Sequence, residues 1–120
     1  MAKILVVDDS AFMRKILINT LKKEGYTEII EGENGIEAVD KYKAEKPALV
    51  LLDVVMEKKE GIDALKEIVA ADPAAKVVMV TAVGQEQMVQ EAMASGAKGY
   101  IVKPFDAAKV IETVKGLVAS

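Results

Sequence analysis

Apolar residues fall along this chain in two alternating rhythms. Short unbroken runs stand at Ile4-Leu5-Val6-Val7, Leu49-Val50-Leu51-Leu52 and Val77-Val78-Met79-Val80. Runs of this length without charge fit strands buried on both faces of a parallel sheet. Two weaker strands are predicted at Glu28–Glu31, whose flanking acids suggest an edge, and at Gly99–Val102. Between the runs, apolar positions recur every three or four residues. Met13, Ile16, Leu17, Thr20 and Leu21 form one helical stripe, with Ser10 or Asp9 as cap and Gly25 as stop. Ile36, Val39 and Tyr42 form a second after Asn34-Gly35, and Pro47 forbids its continuation. Ile62, Leu65, Ile68 and Val69 form a third, closed by Asp72-Pro73. Gln85–Ser95 is read as a fourth helix with Met88, Val89, Ala92 and Met93 inward and Gly96 as its stop. Ala108–Val118 is a fifth, striped by Val110, Ile111, Val114 and Leu117.

Strand and helix therefore alternate throughout. Parallel neighbours need crossover connections, so this order predicts an α/β fold, a doubly wound five-stranded parallel sheet with helices on both faces. Right-handed crossovers make the flavodoxin-like strand order 2-1-3-4-5 the natural expectation. One domain over residues 1–120 is expected.

Such a sheet places its chemistry at the carboxyl ends of its strands. The first run ends in Asp8-Asp9, the third in Asp53, the fourth in Thr81 and the fifth in Lys103 before Pro104. Each has an ordinary alternative. Asp8-Asp9 reads as a helix-cap pair, Asp53 as the cap of the next turn, Thr81 as a turn hydroxyl and Lys103 as a solvated edge charge. The conjunction carries the signal, because four of five strands deliver an ionisable or hydroxyl group to one rim. Three carboxylates gathered there repel one another, and a hard divalent cation such as Mg2+ resolves the conflict with oxygen ligands. A cation, an anionic oxygen nucleophile, a hydroxyl and an ammonium are the parts that phosphoryl transfer requires.

Composition narrows the choice. The 120 residues include 16 Lys or Arg against 19 Asp or Glu, for a net charge of −3, which disfavours nucleic acid as a partner. Cysteine and histidine are both absent, removing thiolate chemistry, the commonest general base and the commonest metal ligand. The apolar run near the N-terminus is too short for a signal-peptide core or a membrane span, so a cytoplasmic protein is expected.

The set Asp8-Asp9, Asp53, Thr81-Ala82 and Lys103-Pro104-Phe105 resembles the receiver domain of two-component response regulators, in particular the stand-alone chemotaxis regulators of the CheY type. The likeness covers essentially the whole chain. It implies that Asp53 accepts a phosphoryl group from a histidine kinase. Asp9, Asp53 and the backbone carbonyl of Val55 would bind Mg2+, with Asp8 assisting through water. Lys103 would pair with the acyl phosphate, Thr81 would move toward it, and Tyr100 would turn inward behind Thr81. The Lys103-Pro104 bond is expected to be cis. The implied output face is the fourth helix, fifth strand and fifth helix, acting on a downstream protein such as a flagellar switch. A partner phosphatase is a further possibility, no membrane is involved, and a monomer is the default. The chain would phosphorylate and dephosphorylate itself as a signalling protein and would not be a turnover enzyme. Glu57 stands where relatives commonly carry proline, which leaves that loop more conformational freedom. Val55 and Val83 would flank the phosphoryl group with apolar surface, from which slow self-dephosphorylation is expected. The alternatives are a receiver cut from a longer regulator with an effector domain, a phosphorylation-silent interaction module, and an aspartyl-nucleophile phosphohydrolase. The last wants a second acid at position 55, where this chain has Val.

Overall fold

The computed structural model describes residues 3–54, 61–82, 84–103 and 106–118. Strands β1 (Ile4–Val7), β2 (Ile29–Gly32), β3 (Leu49–Asp53), β4 (Val77–Ala82) and β5 (Gly99–Lys103) alternate with helices α1 (Ala11–Lys23), α2 (Gly35–Glu45), α3 (Gly61–Ala71), α4 (Glu86–Ala94) and α5 (Ala107–Val118). The strands form one parallel sheet in the order β2-β1-β3-β4-β5, as the alternation predicts. The acid-flanked β2 lies at one edge, one residue later than expected, and β5 lies at the other.

Strand pleating divides the apolar runs between two cores. Leu5, Val7, Val50, Leu52, Val77 and Met79 pack toward α2 and α3 with Val39, Ile62, Leu65 and Ile68. Ile4, Val6, Leu49, Leu51, Val78, Val80 and Ile101 pack toward α1 and α5 with Leu17, Leu21, Val110 and Val114. Every position of β1 and β3 is buried, which is why those runs carry no alternation in their chemistry.

Local chemistry sets the helix ends. The Ser10 hydroxyl accepts from the Met13 amide at 3.3 Å and caps α1. Asn34 Oδ1 accepts from the Glu37 amide at 2.9 Å, while Glu37 Oε1 accepts from the Glu33 amide at 3.2 Å, a reciprocal cap that starts α2. Gly96 follows α4 with φ +114°, a left-handed conformation that calls for glycine, and a methyl there would crowd Val69 at 3.2 Å.

Two of the predicted helical stripes need correction. Ile36 does not share the buried face of Val39 and Tyr42 but is exposed at the first turn of α2. In α4 only Ala92 is buried, Met88 and Val89 are half-buried, and Met93 points outward. The periodicity of α4 is real, but the sheet beneath it is nearly at its edge and covers one residue, not four.

Candidate functional site

The carboxyl ends of β1, β3 and β5 meet at one rim. Asp8 is 1% exposed and Asp53 7%, whereas Asp9 is open to solvent. Carboxylate oxygens of Asp8, Asp9 and Asp53 lie within 4.8 Å of one another. The Lys103 Nζ sits beside them, 3.2 Å from Asp8 Oδ2 and 3.4 Å from Asp53 Oδ2. Burial lowers the proton affinity of that ammonium, but the charges of Asp53 and Asp8 and their hydrogen bonds outweigh it, and its pKa is raised above the ordinary lysine value.

The rim is held from several directions. Asp8 Oδ1 accepts from the Ser10 amide at 2.9 Å, so each Asp8 oxygen already has a partner within the protein. The Asp8 carboxylate is thus engaged within the protein, while Asp9 is open to solvent. Arg14, a buried cation on α1, donates through Nη1 to the Asp8 carbonyl at 2.6 Å and through Nε to Glu31 at 2.9 Å. It thereby ties the end of β1 to α1 and β2. The strand end that carries Asp53 is pinned likewise. The Val54 amide donates to the Val80 carbonyl at 3.0 Å, and the Gly61 amide donates to the Val54 carbonyl at 2.9 Å. Gly61 lies so close that a Cβ there would overlap the Asp53 carbonyl oxygen.

Thr81 stands differently. It lies inside β4, not at its close, and is 2% exposed. Its neighbour Val80 is the residue in register with Asp53. Strand alternation therefore turns Thr81 toward α4, away from the face that Asp53 and Lys103 share. Its hydroxyl donates to Gln85 Oε1 at 2.7 Å. Thr81 and Gln85 line a groove of about 510 Å³ between α4 and β5, together with Met93, Tyr100 and Val102. Tyr100 is 48% exposed on the wall of this groove. Of the sequence-predicted residues, the fold thus brings Asp8, Asp9, Asp53 and Lys103 together and sets Thr81 and Tyr100 along an adjoining groove. Val55, Glu57, Val83 and the Lys103-Pro104 bond lie outside the described residues.

The acidic trio suits a hard divalent cation, since the donors are all carboxylate oxygens and the sequence offers no His or Cys to draw a softer metal. The comparisons decide the family. Residues 4–115 match the model of the response regulator receiver domain. The chain belongs to the receiver family. As a receiver it is 47% identical over 115 residues to the chemotaxis protein CheY of Listeria monocytogenes, covering 96% of this chain and 97% of that one. It is 48% identical over 112 residues to the chemotaxis protein CheY of Thermotoga maritima, covering 93% of each. Among solved structures it superposes on the receiver domain of NtrX from Brucella abortus with a TM-score of 0.93 at 28% identity, covering 98% of this chain and 99% of that one. This receiver therefore takes part in phosphorylation signalling, and its acidic rim is compatible with a divalent metal.

Sequence reasoning missed three polar supports of the site: Arg14, Gln85 and the close approach of Gly61. Arg14 reads as one more helix charge and Gln85 as one more helix-start residue, because their partners lie on other elements or across a turn. Gly61 had a signal, a glycine placed just ahead of an apolar helical stripe.

Proposed function

We propose that this receiver is a Mg2+-dependent switch in which Asp53 takes a phosphoryl group from a histidine kinase, and that its output serves chemotaxis. The observation that carries the reading is the Lys103 ammonium lodged between Asp8 and Asp53 at a buried rim. In the transfer, a carboxylate oxygen of Asp53 attacks phosphorus. A P–O bond forms, the donor's P–N bond breaks, and the departing imidazole nitrogen keeps the electron pair and is protonated. Bound Mg2+ would offset the charge of the phosphoryl oxygens. Asp9 and Asp53 would hold it directly, with Asp8 through water and Val55 through its carbonyl. Lys103 keeps its proton at neutral pH and supplies a fixed positive charge beside the acceptor. Hydrolysis returns Asp53 to a carboxylate, so the protein resets without serving as a turnover enzyme.

The Thr81 hydroxyl would then move from Gln85 to a phosphoryl oxygen, and Tyr100 would enter the groove it leaves. Exposed Met93, Tyr100 and Val102 make the α4-β5 side the output face, flanked by Lys98 and Lys109. The relatives named as chemotaxis proteins match over nearly their full length, which supports a downstream protein such as a flagellar switch and a cytoplasmic setting. No helix among the described residues is long and apolar enough to cross a membrane.

The test is mass spectrometry after treatment with phosphoramidate, with and without Mg2+. One added phosphoryl group is expected with Mg2+ and none in Asp53→Asn. A parent protein that stays unmodified overturns the proposal and favours a phosphorylation-silent module. Steady release of phosphate from simple esters overturns it in favour of a phosphohydrolase.

A further inference from the structure

Gln85 restrains the hydroxyl of Thr81, at the end of the strand next to the one that carries Asp53. Its Oε1 accepts two hydrogen bonds, from Thr81 Oγ1 at 2.7 Å and from the Ala82 amide at 2.7 Å. The Gln85 amide donates back to the Ala82 carbonyl at 3.3 Å, closing the turn on itself. Gln85 also precedes α4 as its capping residue, yet makes no side-chain hydrogen bond to the helix. Its side-chain oxygen is committed to the strand end instead.

A threonine hydroxyl has one proton to donate. While it goes to Gln85, the hydroxyl has no second proton for an anion on Asp53. Thr81 also lies on the groove side of β4, so reaching the rim requires leaving the Gln85 oxygen. The Ala82 amide on the same oxygen fixes the backbone that would have to turn. Both bonds oppose the same motion.

We propose that Gln85 is a positioning residue that latches Thr81 in the resting state and sets how readily the phosphorylated conformation forms. The inference rests on the receiver reading above and adds a residue to it. Removing the acceptor leaves the hydroxyl only a long contact with the Ala82 carbonyl, 3.4 Å, and does so at little cost, because Ala82 is exposed and its amide can turn to water. A net hydrogen bond of ordinary strength corresponds to about a three- to tenfold change in an equilibrium.

The experiment titrates the full chain with beryllofluoride in saturating Mg2+, followed by calorimetry. Beryllofluoride stands in for a phosphoryl group on the aspartate. Gln85→Leu is expected to bind it about three- to tenfold more tightly than the parent. Gln85→Glu, which keeps an acceptor oxygen, is expected to bind no more tightly than the parent. In a Thr81→Val background, adding Gln85→Leu is expected to change nothing, since no hydroxyl remains to be released. Faster hydrogen exchange of the Ala82 amide in Gln85→Leu is the matching signature in the unliganded protein. Unchanged or weaker binding by Gln85→Leu overturns the latch, as does a gain that persists with Thr81→Val. If Gln85→Leu does not fold, Gln85→Met removes the same acceptor and is read by the same criteria. A parent protein that binds no beryllofluoride overturns the receiver reading itself, an outcome separate from parental binding that Gln85→Leu leaves unaltered.

Discussion

Helices α3 and α4 follow neighbouring strands on the same face of the sheet, yet they are held very differently. Helix α3 buries Gly61, Ile62, Ala64, Leu65 and Ile68, whereas α4 buries Ala92 alone. The strands repeat the contrast, with β3 buried at every position and β5 only at Ile101. Asp53, the proposed acceptor, thus stands on the tightly packed half of the molecule, and the proposed response belongs to the loosely packed half. Catalytic groups need fixed geometry, while a switch needs an element that can move at low cost. The fold supplies both by placing the acidic rim on its centre and the groove near its edge.

The contrast can be broken by truncation. Leu65→Ala should cost about 3 kcal/mol of stability in chemical denaturation, as for a fully buried leucine, whereas Met93→Ala should cost less than about 1 kcal/mol. Similar losses at the two positions would erase the distinction between the halves. Magnesium should act on the tight half. At a hundredfold excess over its dissociation constant, Mg2+ should stabilise the fold by about 2.7 kcal/mol, read as a rise in melting temperature that Asp9→Asn diminishes.

Lys103→Met should destabilise the metal-free protein by about 2 kcal/mol, because it leaves Asp8 and Asp53 buried without their countercharge. Added Mg2+ should recover more stability in that variant than in the parent. The smallest effect concerns pH. The pKa of Lys103 is raised on folding above its ordinary 10.5, so its stabilisation is complete below that pH and is lost as pH rises through the folded value. The stability gap between the parent and Lys103→Met should therefore stay level from neutral to mildly alkaline pH and close only above 10.5.

How much of this was legible in the sequence follows the same division. Residues 49–53 announce themselves, because a strand buried on both faces needs an unbroken apolar run and a charge marks its exit. Asp8, Asp9 and Lys103 were legible once strand order was inferred, since topology alone brings their strand ends to one rim. The outward turn of Met93 was not legible. Its helical spacing is sound, but how much sheet lies beneath a helix depends on where the last strand falls. Gln85 was hidden for another reason. A polar residue that pairs with a side chain four positions earlier across a turn leaves no periodicity, and only coordinates show which oxygen its partners share.

The register of the last two strands has a further consequence. Thr81 lies opposite Val102, and Ala82 opposite Lys103. Lys103, the cation beside Asp53, and the solvent-facing Val102 of the edge strand are thus consecutive residues, on adjacent rungs of one ladder. Chemistry at the pocket needs no long lever to be felt outside. Under the proposed switch the message would cross a single interstrand gap of about 4.8 Å, so one displaced threonine would suffice as its transmitter.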